Sequence, residues 1–206
     1  MLKKEYEILL QFVKMPWKGL TFREVKKLSR KKSESYVYNS LKKFARSGVL
    51  KEEKAGNTIL YHLNLKSLKA QAYAGFVSEY AAWKEKHIPY KNLENLAAKI
   101  PTSFFTFIIT GSYAKKTQRK DSDIDAVLII DESAEPKKVY AELSHYCELS
   151  IPQIHLYVFR KSEFLSMLLE KKPNYGKETV KNNLLLFGAE NYYQIISGAI
   201  ENGFNG

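Results

Sequence analysis

A strongly apolar run at residues 104–109 stops at Thr110-Gly111-Ser112, and after a polar stretch Asp123 and Asp125 stand two apart at the head of a second apolar run, 126–130. This pattern demands two buried strands joined at one end by a turn and loop. A buried strand that ends in Gly-Ser exposes backbone N–H groups able to cradle an anion. Residues i and i+2 of a strand share a face, so Asp123 and Asp125 present two carboxylates side by side. A lone Asp-x-Asp is most often an Asp-rich surface turn; the Gly-Ser turn ahead of it favours a nucleotide site. Two such carboxylates suit Mg²⁺, which keeps several waters and takes one or two carboxylates plus phosphate oxygens. Phosphoryl chemistry then rests on positioning and charge neutralisation rather than on a protein nucleophile.

Gly111-Ser112, followed by Ser122-Asp123-Ile124-Asp125, resembles the signature of the polymerase-beta-like nucleotidyltransferases, especially their minimal members, over about residues 90–170. The resemblance implies that Gly111 and Ser112 contact a triphosphate, with Ser122 beside them. It also implies that Asp123 and Asp125 bind Mg²⁺ (or Mn²⁺) for attack on the α-phosphorus with loss of pyrophosphate.

Two departures accompany it. The family usually carries a third carboxylate on a neighbouring strand, and the strand expected here at 151–159 turns Ile154, Leu156 and Val158 to one side and Gln153, His155 and Tyr157 to the other. His155 is either an ordinary strand histidine or the substitute, as a base or as a ligand better matched to Mn²⁺ or Zn²⁺ than to Mg²⁺. Lys116 stands where the family usually has glycine. With Lys115, Arg119 and Lys120 it forms either a basic rim for a triphosphate or a solvated loop.

Charge divides the chain. Residues 1–66 hold 16 Lys and Arg against 6 Asp and Glu, a net +10, whereas the remainder holds 17 against 16, a net +1 of the total +11. A basic third joined to a near-neutral body calls for an anionic partner, nucleic acid before membrane. Cys147 is the only cysteine, so an intrachain disulfide is excluded and a reducing cytoplasm is the expected setting. Glu5, Glu7 and Gln11 interrupt the N-terminal apolar run too early for a signal peptide, and no stretch approaches the ~18 apolar residues of a membrane span.

The basic third reads as three helices and a hairpin. Leu2, Tyr6, Leu9, Leu10, Phe12 and Val13 recur at helical spacing before Pro16; Thr21 with Glu24 forms a capping box for the next helix; Ser33 or Ser35 starts a third, which Gly48 ends. Alternation at 49–52 and 58–63 around Ala55-Gly56-Asn57 predicts a hairpin. This order resembles a winged helix-turn-helix. In that fold the third helix enters the major groove, which makes Ser35, Tyr36, Tyr38 and Asn39 candidate base readers and Lys31, Lys32, Lys42 and Lys43 candidate phosphate contacts. A solvated basic face, or a winged helix that docks protein, is the rival reading.

Residues 65–86 read as a helix whose stripe Leu68, Ala72, Phe76, Tyr80 and Trp83 is expected to form a domain interface or a homodimer seam. A short helix follows, ending before Pro101, and then strands at 104–110, 122–130 and 151–159 alternate with helices at 112–116, 135–149, 163–169 and 177–198. The expected architecture is therefore a winged helix-turn-helix at 1–65, linker helices at 66–100, and a mixed-sheet α/β (α+β) nucleotidyltransferase domain at 101–206. Two functions follow from it. One is transfer of a nucleotide from a nucleoside triphosphate to an acceptor hydroxyl, targeted through DNA or RNA. The other is a DNA-binding regulator or antitoxin-like protein with a helical protein partner, whose second domain senses nucleotide or is degenerate.

Overall fold

The computed structural model describes residues 4–206; Leu2, assigned by pattern to the first helix, lies outside the described residues. The basic third forms α1 (Tyr6–Val13), β1 (Leu20–Thr21), α2 (Phe22–Ser29), α3 (Glu34–Arg46), β2 (Leu50–Ala55) and β3 (Thr58–Leu63). Its local signals act as their chemistry requires. Thr21 Oγ1 accepts from the Glu24 amide at 3.2 Å, while the Glu24 carboxylate accepts from the Thr21 amide at 2.8 Å and the Thr21 hydroxyl at 3.0 Å, two bonds that hold the Glu24 carboxyl below the usual range. Ser33 caps α3 through the Tyr36 amide. The strands form an antiparallel sheet in the order β1-β3-β2, and Ile8, Phe12, Val25, Val37 and Leu41 fill the space beneath it.

The remainder comprises α4 (Leu68–Ala82), α5 (Tyr90–Ala97), β4 (Phe105–Thr110), α6 (Gly111–Lys115), β5 (Ile124–Ile130), α7 (Pro136–Leu149), β6 (Ile154–Arg160), α8 (Lys161–Leu169), α9 (Tyr175–Lys181), β7 (Leu184–Phe187) and α10 (Ala189–Glu201). The four strands make a mixed sheet, β6-β5-β4-β7, with β5 and β6 parallel and the other neighbours antiparallel. Because side chains alternate along a strand, Ile109, Ala126, Leu128 and Leu156 pack with α5 and α7, while Ile108, Val127, Ile129 and Leu185 pack with α8, α9 and α10. The second layer is continuous with the core of the basic third. At that junction Tyr193 Oη donates to the Val13 carbonyl at 3.0 Å and lies 2.6 Å from Ser78 Oγ.

One expectation is corrected. Residues 177–198 are not one helix: α9 ends at Lys181, β7 occupies Leu184–Phe187, and α10 begins after Gly188. Four consecutive apolar residues suit a buried strand as well as a helix, and pairing with β4 decides for the strand. Within this chain the stripe of α4 is covered only toward its end, with Leu68 74% and Phe76 53% exposed. The buried face carries Ala70, Gln71, Ala74, Gly75 and Val77. There α10 comes so close that a Cβ on Gly75 would lie 2.9 Å from the Glu190 amide nitrogen. Only the end of the stripe packs, Tyr80 edge-on against Tyr6 and Trp83 stacked on Tyr90 with its Nε1–H donated to the Leu186 carbonyl.

Candidate active site

Strand register aligns Thr110, Asp125 and His155 in one row across β4, β5 and β6. Asp123 lies immediately before β5, two residues back, beside His155: its Oδ2 is 3.4 Å from His155 Nε2, and Asp125 Oδ1 is 3.9 Å from His155 Nδ1. The three residues singled out for chemistry thus share a patch at the end of the sheet. Gly111 closes it from β4. Its φ of +64° is a left-handed conformation, and a Cβ there would overlap the Asp125 carboxylate. Thr110 Oγ1 donates to the Asn182 carbonyl at 2.8 Å, tying the turn to the segment before β7.

Burial pushes the Asp125 carboxyl above its ordinary range; the neighbouring charges of His155 and Lys115 act against that push and Asp123 adds to it. Two carboxylates whose repulsion is only partly relieved are a donor set suited to a divalent cation. Among the described residues no three His, Cys, Asp or Glu side chains form a ready ligand cluster. Asp123 and Asp125, with His155 beside them, are the residues here that could hold such a cation.

The other nucleotide-site candidates separate. Gly111 and Ser112 open α6, whose first amides have no partner within the helix. Ser122 serves the loop between α6 and β5: its Oγ accepts from the Arg119 amide at 2.8 Å and its carbonyl accepts from Tyr113 Oη at 3.4 Å. Lys116, at φ +59°, turns its ammonium to Glu85 at 2.8 Å. Lys115 is the cation close enough to Asp125 to oppose the rise of its carboxyl.

Tyr175 escaped the sequence reading. It packs on Tyr157 at 4.3 Å between ring centroids, its hydroxyl is buried with no hydrogen-bond partner among the described residues, and burial followed by the Asp125 charge raises its phenol far above the ordinary value. No local signal marks it, because it enters from α9, some fifty positions beyond Asp125 in the chain. Tyr157 was visible only as the residue two places after His155 on the same strand face.

In the basic third the base-reading candidates lie along α3. Asn39 Nδ2 donates to Ser35 Oγ at 3.3 Å, Tyr36 is partly buried against the core, and Tyr38 is half exposed with the Lys42 ammonium over its ring at 5.8 Å. The cations are less free than their number suggested. Lys42 pairs with Glu52 at 2.8 Å, Lys43 with Glu5 at 2.8 Å and Lys31 with Glu7, whereas Lys32 stands exposed.

Residues 96–184, less than half of the 206-residue chain, match the family model of the nucleotidyltransferase domain. That span runs from the end of α5 to the first residue of β7 and contains the Gly111-Ser112 turn, both aspartates and His155. No curated protein and no solved structure matches the chain. No described helix is long and apolar enough to cross a membrane.

Proposed function

We propose that this protein transfers a nucleotide from a nucleoside triphosphate to an acceptor hydroxyl, and that residues 1–65 act as a winged helix-turn-helix that brings the enzyme to DNA or RNA. The observation that carries the reading is the convergence of Asp123 and Asp125 on His155, with Asp125 against the Gly111 turn, within the span matched by the nucleotidyltransferase domain. Asp123 and Asp125 would hold Mg²⁺ or Mn²⁺, which when bound supplies charge neutralisation for the triphosphate.

The chain's own groups do the rest. The opening amides of α6, at Gly111 and Ser112, face the phosphates, and Gly111 keeps the turn low enough for Asp125 to lie against it. His155, beside both carboxylates, takes the proton of the acceptor hydroxyl. The acceptor oxygen bonds to the α-phosphorus, the bond from that phosphorus to the bridging oxygen breaks, and pyrophosphate leaves with the electron pair. Lys115 adds positive charge next to the site. For residues 1–65, support comes from the order of helices and hairpin, the local charge of +10 over residues 1–66, and the exposed Tyr38 ring on α3.

One observation favours a second reading. On β6 the position level with Asp125 is His155, an imidazole where a carboxylate would complete a third acidic ligand. On that reading the protein is a DNA-binding regulator whose second half binds nucleotide without transferring it. Label transfer separates the two: purified protein, Mg²⁺ or Mn²⁺, each nucleoside triphosphate labelled at the α-phosphate, and a cell lysate as acceptor, with Asp125→Asn as control. Label moved by the wild type alone supports the transferase; bound nucleotide with no moved label supports the regulator.

A further inference from the structure

A cleft of about 550 Å³ opens where the basic third meets the rest of the chain. α1 and its exit form one wall and α4 another; the end of α6, the segment 180–185 and α10 close the remainder. Its base is fixed by hydrogen bonds. Tyr193 is held between the Val13 carbonyl and Ser78 Oγ, and Asn183 Nδ2 is donated to the Thr179 and Val180 carbonyls at 2.9 Å each. The space is therefore part of the way the two halves meet and not a gap that side chains can collapse to fill.

The lining has two characters. Val13, Val180, Leu185 and Tyr192, all buried, make an apolar floor. Three ammonium groups, on Lys14, Lys116 and Lys181, stand against one carboxylate, Glu85, which Lys116 already engages at 2.8 Å. Lys14 and Lys181 are exposed and have no ion-pair partner among the described residues. Asn182, which gives its carbonyl to Thr110, adds a carboxamide to the same wall. A mainly apolar concavity at a domain junction, with a few convergent polar groups, is where small ligands bind. The unbalanced ammonium groups select an anion, and the floor selects an apolar or aromatic body for it. Gly111, Ser112, Asp123, Asp125 and His155 do not line the cleft, so it is separate from the place of transfer.

We propose that this cleft is a second ligand site, for a small organic phosphate with an aromatic body, its ring on the apolar floor and its phosphate at Lys14 and Lys181. The site stands whether or not the protein transfers nucleotides. Its occupant touches α1 on one side and the end of α6, the helix that Gly111 opens, on the other. It thereby clamps the basic third and the sheet in one arrangement.

The test uses the full chain in EDTA, which silences any metal-dependent triphosphate site. Phenyl phosphate, a nucleoside monophosphate, ribose 5-phosphate and inorganic phosphate are compared by calorimetry and by Tm. Phenyl phosphate, the nucleoside monophosphate or both should bind and raise the Tm, equally in the wild type and in Asp125→Asn; which of them binds more tightly tells whether the body is a nucleoside. The two ligands without a ring should bind about tenfold more weakly or worse, since they leave the apolar floor uncovered. Lys14→Ala and Lys181→Ala combined should weaken binding about tenfold. Azidophenyl phosphate, photolysed on the protein, should attach within residues 10–16 or 180–185, and the double variant should lose that attachment.

Absence of binding at millimolar ligand overturns the proposal. Inorganic phosphate that binds as tightly as phenyl phosphate, affinity that depends on Asp125 and not on the two lysines, or attachment confined to residues 110–125 does so as well.

Discussion

The Asp125 carboxylate lies in the space that a side chain on Gly111 would fill. The glycine is required twice, by its left-handed φ of +64° and by this overlap. Gly111→Ala must therefore displace the turn or the aspartate. A displacement of about an ångström at a reacting centre costs on the order of a hundredfold in rate, so kcat/KM for label transfer should fall by about that factor or more. Circular dichroism should show secondary structure unchanged; a variant of wild-type activity would remove Gly111 from the site.

The ionised form of Asp125 is disfavoured. Burial and the Asp123 charge both work against its carboxylate, and His155 and Lys115 compensate only in part. Asp125→Asn should accordingly raise the Tm of metal-free protein at neutral pH while abolishing transfer. Adding Mg²⁺ or Mn²⁺ should raise the Tm of the wild type, because a ligand bound only by the folded state stabilises it, and should leave the variant unmoved. Equal metal responses in the two proteins would argue against Asp125 as a ligand.

The site was legible where its chemistry is local. Gly111-Ser112 and Asp123-x-Asp125 announce themselves because turn, strand and carboxylates are consecutive in the chain, and the alternation of Ile154, Leu156 and Val158 is enough to put His155 on the opposite face. Tyr175 was hidden because its contact with Tyr157 is made by tertiary packing of α9. The direction of Lys116 was hidden because its partner, Glu85, follows α4, far from it in sequence. In the fold, Leu184–Phe187 gave no periodicity to distinguish strand from helix. On α4 a hydrophobic pattern undervalues the face that packs within the chain, which carries Ala70, Ala74 and Gly75 beside Val77, while Phe76 stays outside it.

Lys42 reaches nucleic acid only by leaving Glu52, whose two oxygens lie 2.8 and 3.1 Å from its ammonium. If α3 binds phosphate through Lys42 and Lys43, Lys42→Ala and Lys43→Ala should each weaken binding at all sequences and lower the slope of log affinity against log salt by about 0.9 for duplex DNA. Glu52→Gln should do the opposite, tightening binding about threefold, as expected for release from an exposed ion pair. Asn39→Ala should change sequence preference instead. Fluorescence anisotropy across a salt series reads all four variants, and binding indifferent to salt would exclude this face as a phosphate contact.

Glu79 joins α4 to the start of α10. Its Oε1 accepts from the Ala189 amide at 2.8 Å, and Gly188 at the helix start offers no side chain to do so. Burial lifts the Glu79 carboxyl above its ordinary range, and the hydrogen bonds from Ala189 and Gly188 oppose that rise without cancelling it. Glu79→Ala leaves the Ala189 amide without its partner, a loss of about 1–3 kcal/mol and, for a chain of this size, several degrees in Tm. Glu79→Gln retains an acceptor and removes the charge that burial disfavours, so it should be at least as stable as the wild type at neutral pH. The pH dependence follows from the raised carboxyl. Between the pKa of Glu79 in the unfolded chain and its higher value in the fold, the folded state holds more protons, so stability falls as pH rises through that window. Tm measured against pH should show this decline in the wild type and a smaller one in Glu79→Gln. Equal Tm for the Ala and Gln variants would mean that the hydrogen bond to Ala189 contributes nothing to holding α10 on α4.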